Sequence, residues 1–222
     1  MLQITKSFKR IYEASNKYQS SSEFLKWFGN SVVVNEEGKP LVVYHGTRFK
    51  SKNDKLRSGS WFTDNSDFAG GFINGRKSNG TPSEREVKDR SRIYPAFLSI
   101  KNPIIYKAAW HHISPERFAN IVGIPYEDLN AKALEFARQG NKKEEAEHEN
   151  DWVRNPYASG WRQKDFPISE MPENMFAIYF DNKNLIKALQ FYGFDGVQSM
   201  EGGSNTWQVW DESQVRSIYG KG

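Results

Sequence analysis

Strand-like apolar runs lie towards both ends of this 222-residue chain, and a helix-forming block separates them. Val32-Val33-Val34, Leu41 to His45 and Tyr94 to Ile100 precede the block, and Met175 to Phe180, Phe194 to Gln198 and Thr206 to Trp210 follow it. That order predicts an α+β fold with a largely antiparallel sheet and an inserted helical lobe. The length suits one domain over 1–222, with helices in 1–30 and a mainly helical insert over 107–174.

Local signals fill in the frame. Leu2 to Ala14 reads as a short amphipathic helix, with Ile4, Phe8, Ile11 and Tyr12 on one side. Ser20, Ser21 and Ser22 offer N-caps for a second helix that Gly29 closes. Thr63 or Asp64 can cap a helix running through Phe68 to Phe72, and Ser114-Pro115 is a strong helix start. Two or three helices fill Ser114 to Arg154, with a solvated, charged stretch from Lys142 to Glu149. Asn182 caps a helix that Gly193 stops, and Glu201 to Asn205 reads as a flexible loop between the last two strands.

Composition removes several classes of chemistry. There is no Cys, so disulfides, thiolate catalysis and Cys-based zinc sites are excluded. His111-His112 and the Glu144/His148 pair read as surface groups and not metal ligands, so no metal is expected. The first fifteen residues lack an apolar core of signal-peptide type, and no stretch approaches a membrane span; a cytoplasmic, monomeric protein is the expectation. The net charge of +4 permits a nucleic-acid partner without demanding one. Six Lys or Arg lie between Asn74 and Arg92, and Arg76, Lys77 and Arg85 among them are candidates for gripping RNA or an acidic protein. Aromatics reach 14%, with seven Trp; Trp152, Tyr157 and Trp161 read as packing groups of the insert.

The chemistry-bearing feature is His45-Gly46-Thr47 at the end of an apolar strand. It combines an imidazole, a backbone that a ligand can approach and a hydroxyl. Such a trio suits a ribose and a carboxamide. Gly59-Ser60-Trp61-Phe62-Thr63-Asp64 follows, then an aromatic at Phe72, and late in the chain Thr206-Trp207-Gln208-Val209-Trp210-Asp211.

With these segments in this order, the chain resembles the ADP-ribosyltransferase superfamily of the diphtheria-toxin and poly(ADP-ribose) polymerase type. It is most similar to the ADP-ribosyltransferase domains of phage polyvalent proteins. Phe24 to Ser31, Gly38 to Thr47, Tyr94 to Pro103, Gly193 to Val197 and Val209 to Ser217 also carry the resemblance, which spans about 23–218 with a gap over the insert. It implies a split-sheet transferase core, NAD as substrate and a protein or nucleic-acid acceptor. It further implies that His45 bonds a ribose hydroxyl, that Gly46 holds the nicotinamide carboxamide through its backbone, and that Thr47 supports that site. The aromatic element maps onto Ser60, Trp61 and Phe62, with Trp61 replacing the usual tyrosine. Phe72 takes the place of the second stacking aromatic.

One position departs from the pattern. Poly(ADP-ribose) polymerases open the last strand with a glutamate, and the alignment puts Thr206 there. Three readings stay open: a mono-ADP-ribosyltransferase that borrows a base from its acceptor, a swing of Glu201 into the site, or NAD binding without turnover. Gln208 is a further candidate contact that can orient a ligand but not deprotonate it. An NAD glycohydrolase and a non-catalytic NAD or ADP-ribose binding module are the alternatives to a phage or bacterial effector transferase.

Overall fold

The computed structural model describes residues 19–47, 59–74, 92–109, 111–140 and 174–218. The first helix expected over 2–14, the cations Arg76, Lys77 and Arg85, the charged run 142–149 and Trp152, Tyr157 and Trp161 lie outside them. The chain divides into two compact units, 1–105 with 196–222, and 106–195.

The first unit is built on a sheet. Helix α1 (Ser22–Phe28) starts at Ser21, whose hydroxyl accepts from the Phe24 N–H, and ends at Gly29 with φ +52°. Strands β1 (Val43–Thr47), β2 (Trp61–Thr63), β3 (Arg92–Leu98) and β4 (Pro103–Tyr106) precede the second unit. Helix α2 (Ser66–Asn74) lies between β2 and β3. After the second unit the chain adds β7 (Gly196–Glu201), β8 (Ser204–Val209) and β9 (Val215–Ser217), numbered after the two short strands described below. The order in the seven-stranded sheet is β4-β7-β8-β2-β1-β3-β9. The β1–β2, β1–β3, β2–β8, β3–β9 and β7–β8 pairs are all antiparallel. The α+β architecture expected from the strand distribution is the one present.

Val33, Val43, Phe62, Ala96, Leu98, Ile100, Trp207 and Val209 form the core on one face. On the other, α1 packs Phe24 and Phe28 against Phe97 and Ile218. Trp27 secures that helix by donating from Nε1 to the Ser213 carbonyl at 2.7 Å.

The second unit is mainly helical. It contains α3 (Pro115–Val122), α4 (Tyr126–Gly140) and α5 (Lys183–Phe191), with the short pair β5 (His112–Ile113) and β6 (Asn174–Met175). Ser114 caps α3, Gly123 ends it with φ +77°, and Asn182 caps α5 through the Asn184 and Leu185 N–H groups. Phe118 stacks on Tyr179 with centroids 4.6 Å apart, and the Tyr179 hydroxyl donates to the Ile113 carbonyl at 2.8 Å.

Four local expectations are corrected. Val32 to Val34 is no strand: only Val34 bridges Pro40, while the Val32 N–H reaches the Ile100 carbonyl. Phe176–Asp181 is a 3₁₀ helix after a two-residue strand, because a short apolar run ahead of a cap has no period that separates strand from helix. The N-cap of α2 is Asn65, whose Oδ1 accepts from the Asp67 and Phe68 N–H groups, and Thr63 belongs to β2. The expected loop at 201–205 shrinks to Gly202-Gly203, with φ +56° and +81°, the two-residue turn that matches strand twist.

Candidate active site

The candidate residues sit on β1, β2 and β8 and on the helix that follows β2. Register decides which side chains share a face. Trp61 stands opposite Gln208, Thr63 opposite Thr206, and Thr206 opposite Ser199. Residues two apart on a strand point the same way. Trp61, Thr63, Ser199, Thr206 and Gln208 therefore share one face, and Phe62 and Trp207 point to the core.

That face is polar and buried. Thr63, Ser199 and Thr206 make a row of hydroxyls across β2, β8 and β7, each with less than 4% of its surface exposed. The Thr63 hydroxyl accepts from the Asn65 N–H at 3.2 Å. Among the described residues the Thr206 Oγ1 has no hydrogen-bond partner although it is buried. A buried hydroxyl without a partner costs about 1–3 kcal/mol, which sets this atom apart from the Thr63 hydroxyl beside it.

His45 projects from β1 one residue out of step with Tyr44, which faces Thr63. Its ring lies 5.4 Å from that of Phe62, and its Nδ1 meets the Trp61 carbonyl at 2.7 Å. A carbonyl oxygen can only accept, so Nδ1 carries the proton. Burial disfavours the imidazolium and holds this histidine below its ordinary value of 6.5, against the smaller, opposing pull of the Trp61 carbonyl. A neutral ring protonated on Nδ1 leaves Nε2 as a hydrogen-bond acceptor.

Gly46 is required by space. A Cβ built on it would lie 1.9 Å from the Ala69 carbonyl oxygen of α2. Helix and strand thus touch backbone to backbone. One residue earlier on α2, Phe68 approaches the β7–β8 turn, where a Cβ on Gly202 would come within 2.9 Å of its ring. Phe72, one turn on, is 49% exposed and meets Phe68 edge-on at 5.3 Å.

Ser60 and Gln208 occupy structural positions. The Ser60 carbonyl accepts from the Val209 N–H at 3.2 Å. The Gln208 amide donates to the Gly59 carbonyl at 3.2 Å and accepts from Trp210 Nε1 at 3.0 Å. Glu201 closes β7 opposite Ser204, on the same face as Thr206. Two residues of strand put it about 7 Å along from that row, and it is anchored by pairing instead of riding a loop. Thr47 ends β1 opposite Arg92.

The structure brings the His45 ring to Phe62 and to the Trp61 backbone carbonyl, and sets the Trp61 side chain opposite Gln208 on the other face of the sheet. Thr63, Ala69 and Trp210 are partners that the motif pattern did not single out. Thr63 could have been found from the short spacing between Trp61 and Thr63, which forces both onto one face of a strand.

No group of three or more His, Cys, Asp or Glu among the described residues could hold a metal ion. None of the described helices is long and apolar enough to cross a membrane. No curated protein and no solved structure gives a match to the chain. Residues 35–222 match the family described as ADP-ribosyltransferase in polyvalent proteins, which takes in the β1 histidine, the aromatic β2, α2 and the β7–β8 hairpin. The chain belongs to the ADP-ribosyltransferases of polyvalent proteins.

Proposed function

We propose that this chain is an NAD-dependent mono-ADP-ribosyltransferase, a single transferase domain with an insert. It moves ADP-ribose from NAD to a protein or nucleic-acid acceptor and releases nicotinamide, as an effector in a bacterial cytoplasm. The observation that carries the reading is the contact between His45 Nδ1 and the Trp61 carbonyl. The Nδ1 proton is tied to that carbonyl, which leaves Nε2 as a neutral acceptor nitrogen. The bond broken in NAD already has a cationic leaving group, so holding and orienting the molecule supplies much of the rate.

In this reading His45 accepts from a ribose hydroxyl, and the Gly46 backbone holds the carboxamide with support from Thr47. Trp61 and Phe72 are the aromatic walls; a flat π-face is what a cationic pyridinium needs. Ser60 and Phe62 set the backbone and core around Trp61. The unpartnered Thr206 hydroxyl takes a sugar hydroxyl where relatives carry a carboxylate. Glu201 contributes from the end of β7 on the same face. Arg76, Lys77 and Arg85 contact the acceptor by charge.

The neutral Thr206 also favours a second reading, a module that binds NAD without turning it over. Incubation with NAD labelled in its adenylate half tests both. The first predicts label on a macromolecule. Free labelled ADP-ribose would mean a glycohydrolase. Bound, intact NAD would leave the binding module. No binding would overturn the NAD site itself.

A further inference from the structure

Gln208 resembles neither a ligand contact nor an ordinary strand residue. It is 1% exposed, and its amide bonds to both the Gly59 carbonyl and the Trp210 indole. The amide's orientation is fixed by chemistry. An indole N–H can only donate, so the atom that Trp210 Nε1 meets must be Oε1, and Nε2 must face the Gly59 carbonyl. Trp210 is itself anchored: its N–H donates to Gln214 Oε1 at 2.9 Å, inside the capping box that Asp211 opens.

On the other side of the amide, Gly59 sits at φ +83° and leads directly into β2. Its N–H donates to the Val209 carbonyl at 2.8 Å, so Gly59 is held at both its donor and its acceptor. Two residues on is Trp61, directly opposite Gln208. Directly opposed residues have Cβ atoms about 4.5–5.5 Å apart. Gln208 thus fixes the turn from which the Trp61 strand departs and also flanks that residue.

We propose that Gln208 is a positioning residue that sets the Trp61 ring for NAD through its paired bonds to Gly59 and Trp210. This rests on the NAD-site reading above. Methionine at 208 would fill the space but remove the bonds to the Gly59 carbonyl and the Trp210 indole. Glutamate would keep the indole bond and set a carboxylate against the Gly59 carbonyl.

The test is a double-mutant cycle on NAD affinity, measured calorimetrically with the full chain. Gln208→Met is expected to weaken NAD binding about tenfold, the scale of one lost buried hydrogen bond. In a Trp61→Ala background the same substitution should change affinity less than about twofold, because the ring it positions is gone. A purely structural role would give additive losses. Should Gln208→Met fail to fold, Trp210→Phe removes only the indole bond and is expected to cost about threefold in affinity, again only when Trp61 is present. Additive losses, or no loss, would overturn the proposal. A wild-type chain that does not bind NAD would overturn the site reading beneath it, a result distinct from either.

Discussion

The two units bury different kinds of side chain. In the helical unit the buried described residues are Ile113, Phe118, Leu129, Tyr179, Phe180, Leu185 and other apolar groups; its one buried polar residue among those described, Asn182, caps α5. The sheet unit buries Ser31, Thr63, Ser99, Ser199, Ser204, Thr206 and Gln208. Two of these are scaffold: the Ser31 hydroxyl donates to the Leu98 carbonyl, and that of Ser99 to the Trp27 carbonyl. The other five share one face of β2, β8 and β7. Burying hydroxyls where valine would pack better is unfavourable for folding alone. The contrast sets that face apart from the apolar packing of the helical unit.

Substitutions in matched pairs sharpen or break this contrast. The largest expected effect is at Gly46. Gly46→Ala drives a Cβ into the Ala69 carbonyl, and urea denaturation should show a loss above about 3 kcal/mol or no folded protein. Its counterpart in the helical unit, Gly123→Ala, meets nothing within 4 Å and strains only a φ of +77°, so about 1 kcal/mol is expected. Equal losses would dissolve the distinction. Next, Asn182→Ala should lower stability by about 1 kcal/mol as a lost helix cap and leave NAD affinity unchanged.

Thr206→Val should do the reverse. It removes a buried hydroxyl with no described partner at nearly constant volume, so the melting temperature should rise, by up to about 1 kcal/mol of stability. NAD affinity should fall at the same time. A drop in both would make Thr206 a structural residue.

The smallest effect is on pH. Burial depresses the folded-state value of His45 below 6.5, so as pH falls the unfolded chain takes up the proton first. Its contribution to stability is complete above about pH 6.5 and declines below it, by no more than about 1.4 kcal/mol for each unit of depression. Urea midpoints from pH 7.5 to 5.5 should fall in the wild type and fall less steeply in His45→Gln.

Much of this architecture was legible in the residues. Ser21, Ser114 and Asn182 announced helix starts because each side chain satisfies an N–H that the first turn leaves open. Glycine at 29 and 193 marked two of the ends. Gly202-Gly203 reads as part of a flexible loop, although two positive-φ residues between strands are what a tight hairpin turn demands. The buried polar face was not legible. Ser204, Thr206 and Gln208 alternate with Asn205, Trp207 and Val209, a pattern that reads as a strand wet on its polar side. Only tertiary contacts bury both sides. The family pattern located His45 and Trp61, but the bond between the His45 ring and the Trp61 backbone, which sets the tautomer, depends on strand pairing and has no trace in local sequence.

The most direct test of the central claim, that the sheet unit presents a neutral His45 acceptor to NAD, is calorimetric titration of NAD into the wild-type chain and into His45→Ala at pH 7.5. Saturable binding by the wild type and a loss of at least about tenfold in the variant, with both folded, is the predicted result. Equal affinities in the two proteins would contradict it.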